Sequence, residues 1–316
     1  MDYLHNHKEF VNLLNILEQE TGIIPQLLEK DYWIMHVLYG LTQQGFEFEL
    51  KGGTSLSKGY KIIDRFSEDI DIHIKPLNEL NVETNPKKTK PNQIQSRKFY
   101  YDWLERNIKI DGIASVERDP SFDNIKTYNS GGIRLLYPRV TTSVSGMKDG
   151  ILLEVGFDTV TPNNPITISS WAFEKAYSTK NVDIKDNRAI DIRCYSPGYT
   201  FVEKLQTIVT KFRREQESGE ELPNLMRQYY DVYSLLGIED VRNFIGTKEY
   251  FDHKISRFPE TDLQVPLSKN EAFRLSNPEL RTRFAKRFQD TSKLYYKGQP
   301  KFETLLERIH QFLERF

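Results

Sequence analysis

The chain has almost no sulfur chemistry to offer: 316 residues contain one cysteine, Cys194. A single thiol excludes an intramolecular disulfide framework and a cysteine-rich zinc site, and it fits a reducing compartment; Cys194 itself reads as a small buried hydrophobe. No sign of charge dominates either. Forty-four Lys and Arg against 45 Asp and Glu leave a formal net charge of −1, so no global basic field recruits nucleic acid and any such contact must be local. No apolar run approaches the roughly 18 residues of a membrane span, and the opening "MDYLHNHKEFVNLL" lacks the basic-then-apolar pattern of a signal peptide. No membrane partner and a cytoplasmic location are expected. The six histidines show no metal spacing. G-x-S-x-G, G-x-x-x-x-G-K-[ST] and H-E-x-x-H are all missing, which leaves triad hydrolase, P-loop NTPase and zincin readings without support.

What is present is a globular composition, 38% hydrophobic and 28% charged with 19 Phe and 17 Tyr, in a length that suggests about two domains. Apolar residues at helical spacing predict helices over 7–21 and 25–43. "FEFEL" (46–50) and "DIDIHI" (69–74) alternate as strands do, as do shorter runs at 113–117, 132–140 and 151–157. Those runs suit a mixed or antiparallel sheet. Residues 76–98, rich in Pro, Asn and Lys, predict a long flexible loop, and 98–109 a helix. Past about 190 the pattern turns helical: Pro197-Gly198 opens a helix with Phe201, Leu205, Ile208, Val209 and Phe212 on one face, and 303–316 repeats the theme. The expected fold is therefore α+β, an N-terminal mixed sheet flanked by helices (1–190) followed by a C-terminal helical domain (191–316).

The stretch "KGGTSLSKGYKIIDRFSEDIDIHI" (51–74) carries the most chemistry. On a strand, Asp69 and Asp71 project from one side about 6.6–6.8 Å apart while Ile70, Ile72 and Ile74 face a core. Two converging carboxylates are reconciled by a hard divalent cation shared with phosphate. A solvated strand face is the commoner explanation of a bare D-x-D, and a simple capping turn that of a bare Gly-Gly. The order strand, Gly-Gly-Thr-Ser, short helix, D-x-D strand is rarer. Gly52 and Gly53 bring the backbone close to a ligand, and Thr54, Ser55 and Ser57 offer hydroxyls and N–H groups where a helix start favours phosphate; Lys58 sits a turn further in. His73 shares the aspartate face. Glu154 in "ILLEVGF" is the candidate third acid, with Asp158 the weaker one; an exposed strand face is the alternative. Lys204 near a helix start is a poor place for a cation unless an anion sits opposite.

Taken together, "ELKGGTSLSKGY…RFSEDIDI" (49–72) resembles the signature of the polymerase-β-like nucleotidyltransferase superfamily, and more closely its AbiEii/AbiGii abortive-infection toxin branch. "LLEKDYWIMHVL" (27–38), "YTFVEKLQTI" (199–208) and "RQYYDVYSL" (227–235) resemble further stretches of that branch, so the likeness spans 27–235. The resemblance implies that Gly52, Gly53, Thr54 and Ser55 hold an NTP triphosphate with help from Lys58. It implies that Asp69 and Asp71 ligate Mg²⁺ or Mn²⁺ with Glu154 as third acid, and that Arg65 and Ser67 shape the loop presenting them. Lys204 and Asp231 would complete the site. Gln228 stands where relatives often carry His. The implied activity is transfer of NMP to a hydroxyl such as a tRNA 3′ end, with a partner antitoxin. The same chemistry on a small-molecule or protein hydroxyl, and a non-catalytic nucleotide-binding role, are the rival expectations.

Overall fold

A computed structural model describes residues 1–143, 147–180 and 182–316. Two compact units emerge, Met1–Tyr60 with Ser67–Tyr195, and Lys61–Phe66 with Ser196–Phe316.

The first unit opens with α1 (Phe10–Thr21), ended by Gly22 at φ +72°, and α2 (Pro25–Gln43), begun by Pro25 at its first position. Apart from its two ends, α2 is buried all round, polar residues included. Its Glu29-Lys30-Asp31 triplet is accommodated because each side chain ties down another segment. Glu29 accepts from the Val140 and Thr141 amides, Lys30 binds Glu68 and the Lys148 carbonyl, and Asp31 binds Lys58 and the Trp171 amide.

After α2 come β1 (Phe48–Lys51), the short α3 (Gly52–Thr54) running on as a wider turn over Ser55–Gly59, and β2 (Asp69–Ile74). Then follow α4 (Pro91–Asn107), β3 (Ser115–Asp119), β4 (Ser130–Leu136), β5 (Ile151–Gly156), β6 (Asn163–Ile168), α5 (Trp171–Ser178) and β7 (Ala189–Tyr195). Among the described residues the strands form one mixed sheet ordered β3-β4-β5-β2-β1-β7-β6. The pairs β2/β5 and β1/β7 are parallel and the others antiparallel. Leu50, Ile70, Ile72, Leu153 and Val155 are fully buried on one face, so the alternate residues of the same strands are committed to the other face.

Two expectations need correction. The loop expected over 76–98 ends earlier, because α4 begins at Pro91, where the Lys90 N–H donates to Gln93 Oε1 and the proline ring pre-sets the first helical turn. The fully buried Arg97 then binds the carbonyls of Glu83, Asn85, Lys88 and Thr127, giving the Lys-rich segment a fixed course. β6 and β7 were also not anticipated, and β7 occupies 189–195, where the helical half was expected to begin.

The second unit is helical: α6 (Pro197–Ser218), α7 (Leu225–Leu235), α8 (Glu239–Phe244), α9 (Lys248–Arg257), α10 (Glu260–Leu263), α11 (Glu271–Arg274), α12 (Pro278–Gln289) and α13 (Phe302–Phe312). In α13 Leu305, Leu306 and Ile309 are buried on one face, as their spacing predicts. Residues 61–66 belong to this unit by hydrogen bonding: the Phe66 amide donates to the Leu294 carbonyl, the Asp64 amide to the Tyr230 hydroxyl, and the Tyr296 amide to the Asp64 carbonyl.

Candidate active site

Strand register brings the three acids of the first unit onto one face. Asp71 lies opposite Lys51 on β1 and opposite Glu154 on β5, while Asp69 lies one step along β2, opposite Leu152. Directly paired residues point the same way, so Asp69, Asp71 and Glu154 share the face that the buried isoleucines leave free. Gly52 sits at φ +70°, and a Cβ there would fall 1.9 Å from Asp71 Oδ2. Only glycine lets the turn after β1 pass this close to the aspartate.

The electrostatics follow from crowding. Glu154 is pushed up to about 7 by burial first, then by the charges of Asp71 and Asp69, with Lys148 and Lys51 opposing. Lys148 Nζ meets Asp69 Oδ2 at 2.6 Å, and Lys51 Nζ meets Asp158 Oδ2 at 2.6 Å. Asp69 Oδ1 is buried with no hydrogen-bond partner. A carboxylate with an unused inward lone pair beside two further acids fits a divalent cation. Among the described residues no three or more His, Cys, Asp or Glu side chains are arranged to hold a metal by themselves. An ion such as Mg²⁺ takes one or two carboxylates and completes its shell with water and substrate phosphate.

The polar residues after Gly52 are placed differently from expectation. The Thr54 and Ser55 side chains are fully buried. Thr54 Oγ1 donates to the Asp69 carbonyl, and the Ser55 hydroxyl lies beside the Cys194 thiol, which burial pushes up to about 12. The Thr54 hydroxyl therefore braces β2, the Ser55 hydroxyl is enclosed, and the backbone at 52–55 is left to meet a ligand. Lys58 is also engaged, 2.5 Å from Asp31 Oδ1 and over the Trp171 ring. Ser67 is half-buried in the segment just ahead of β2.

Arg65, Lys204 and Asp231 all lie in the second unit and converge there. Asp231 is fully buried; Arg65 grips both its oxygens at 2.7 Å, and Lys204 Nζ lies 2.9 Å from Oδ2. Burial raises the Asp231 carboxyl, but the charges of Arg65 and Lys204 outweigh it and hold the group below the usual range. The anion that Lys204 required is thus Asp231. Gln228 is turned to the Asn224 carbonyl.

Sequence reasoning did not find Lys148, Asp31 or the Lys51–Asp158 pair. Lys148 stands in "GMKDG", outside any periodic segment, and nothing local marks it. Asp31 stands in the charged Glu29-Lys30-Asp31 triplet of α2, where nothing in the spacing sets it apart from its neighbours.

The chain matches the family model described as "Nucleotidyl transferase AbiEii toxin, Type IV TA system" over residues 36–308. The crystal structure of an antigenic nucleotidyltransferase-like protein from Paracoccidioides brasiliensis is 14% identical over 88% of this chain and 97% of that one, with a TM-score of 0.36, too low to carry an argument. No curated protein matches. No helix among the described residues is long and apolar enough to cross a membrane.

Proposed function

Because this chain belongs to the AbiEii nucleotidyl transferase toxin family of type IV toxin–antitoxin systems, we propose that it transfers NMP from an NTP to an RNA hydroxyl. The observation that carries this reading is the row Lys51, Asp71 and Glu154, flanked by Asp69 and closed by a glycine whose Cβ would strike Asp71. Asp69 and Asp71 would hold Mg²⁺ or Mn²⁺, with Glu154 as the third acid. When bound, the ion neutralises triphosphate charge.

The chain's own part is positional. The backbone at Gly52, Gly53, Thr54 and Ser55 receives the phosphates, and the buried Thr54 hydroxyl fixes Asp69 by its carbonyl. The acceptor oxygen bonds to the α-phosphorus as the bond to pyrophosphate breaks, and the hydroxyl proton passes to solvent water. Lys58, pinned by Asp31, shapes the turn. Within the second unit, Asp231 fixes the Lys204 ammonium together with the Arg65 guanidinium.

A tRNA acceptor is supported by a local basic surface, a cavity of about 590 Å³ lined by Lys87, Lys88, Thr89, Lys90 and Gln93. The family's place in toxin–antitoxin systems supports a partner antitoxin and, with it, action in the cytoplasm.

Incubation with labelled NTPs, Mg²⁺, purified tRNA and total protein tests the proposal. Label is expected on RNA, and Asp69→Asn or Asp71→Asn should lower incorporation by at least about a thousandfold. Label found only on protein would replace the RNA acceptor with a protein hydroxyl, and no incorporation at all would overturn transfer.

A further inference from the structure

Two more rows of polar side chains follow the Asp71 row on the same sheet face. Glu49 lies opposite both His73 on β2 and Arg193 on β7, and beyond them Glu47 pairs with Lys75 at 3.1 Å. With Asp191 these side chains line a cavity of about 300 Å³ at the start of β1. By strand geometry its nearer row stands about 7 Å from Asp71.

The groove is chemically specific. Glu49 Oε2 meets His73 Nδ1 at 3.0 Å, and Oε1 lies 3.4 Å from Asn163 Nδ2. The Glu49–His73 pair therefore presents both carboxylate and imidazole atoms for hydrogen bonding. Arg193 is exposed and has no hydrogen bond or ion pair among the described residues. A carboxylate acceptor paired with an imidazole, beside an exposed guanidinium, matches a ligand carrying hydroxyls next to a phosphate.

Direction follows from the in-line requirement. If the β- and γ-phosphates rest against Gly52 and Gly53, the leaving group departs toward the C-terminal end of β1. The attacking oxygen must then approach from the opposite side of the α-phosphorus, along β1 toward Glu49 and His73. We propose that this groove seats the 3′ end of the RNA acceptor, its ribose diol on the Glu49–His73 pair and its last phosphodiester on Arg193. A serine or tyrosine acceptor has neither diol nor phosphate and would leave these groups unused. The inference rests on the transfer reading for its direction, and its test does not need turnover.

Anisotropy measured on the full chain without NTP compares a short single-stranded RNA ending in a 3′ diol with the same RNA ending in a 3′-deoxyribose. The diol form should bind about tenfold tighter, a hydrogen bond to a charged group being worth that much. Glu49→Gln should erase the preference. Arg193→Ala should weaken both RNAs about tenfold, with Arg193→Lys recovering part of the loss. Should Glu49→Gln fail to fold by circular dichroism, His73→Phe provides the same readout. Equal binding of the two RNAs by the wild type, or wild-type behaviour of the variants, overturns the groove. Diol-selective binding with no NMP incorporation would sink the transfer reading alone. Incorporation into RNA with an unchanged KM for RNA in the variants would sink the groove alone.

Discussion

At position 52 the backbone is held at φ +70° with Asp71 Oδ2 in the space of a missing Cβ. Gly52→Ala must either move the turn or push Asp71 aside. The expected result is about a hundredfold loss of transfer, since displacement of a reacting group by about 1 Å costs that much, together with about 1–3 kcal/mol of stability. Transfer assays and thermal melts on the same preparation check both. Asp231 presents the opposite situation, a carboxylate fully enclosed by two cations. Asp231→Asn should cost about 3–5 kcal/mol, because Arg65 is left buried without its counter-charge. Lys204→Ala should cost less, since the paired Arg65 bonds remain. The Asp231 carboxyl is held below its unfolded value of 3.8, so its contribution is complete above about pH 4 and is lost as pH falls through the folded value. Urea titrations from pH 6 to 2.5 should show that acid-side loss in the wild type and not in Asp231→Asn.

Among the elements, the β2–β5 pair stores like charge on one face. Glu154 titrates near 7 when folded against 4.5 unfolded. Between those values the native state holds the extra proton, so in chelator this group makes stability fall as pH rises from about 4.5 to 7. Glu154→Gln should flatten that slope, and Mg²⁺ should restore stability most at the upper end of the window. A wild-type slope unaffected by both would remove Glu154 from the acid cluster. The segment ahead of α4 is governed by one buried guanidinium bonded to four carbonyls. Arg97→Met should cost about 3 kcal/mol and expose Lys87, Lys88 and Lys90 to trypsin, because orphaned buried carbonyls favour local opening. Unchanged cleavage would mean that the segment holds its course without Arg97.

For the whole molecule, the division of the chain matters more than a single boundary. Residues 61–66 lie between the glycine turn and the D-x-D strand in sequence, yet count with the helical unit, so the backbone passes between the units three times. A fragment of 196–316 lacks Arg65 and keeps Asp231 buried with Lys204 as its remaining partner. It should unfold without a cooperative transition, and a peptide of residues 60–67 should restore one, as followed by near-ultraviolet circular dichroism. The sequence by itself determined the local facts: the periods of α1, α2, α6 and α13 and of β1 and β2, and the face shared by Asp69 and Asp71. These follow from residue spacing alone, because a side chain's direction repeats every 2 or 3.6 positions. It could not determine which acid stands beside Asp71, that the Thr54 and Ser55 hydroxyls turn inward, or that Arg65 and Lys204 share Asp231. Those depend on strand register and on packing between residues up to 166 positions apart, and only the folded chain brings such groups within bonding distance.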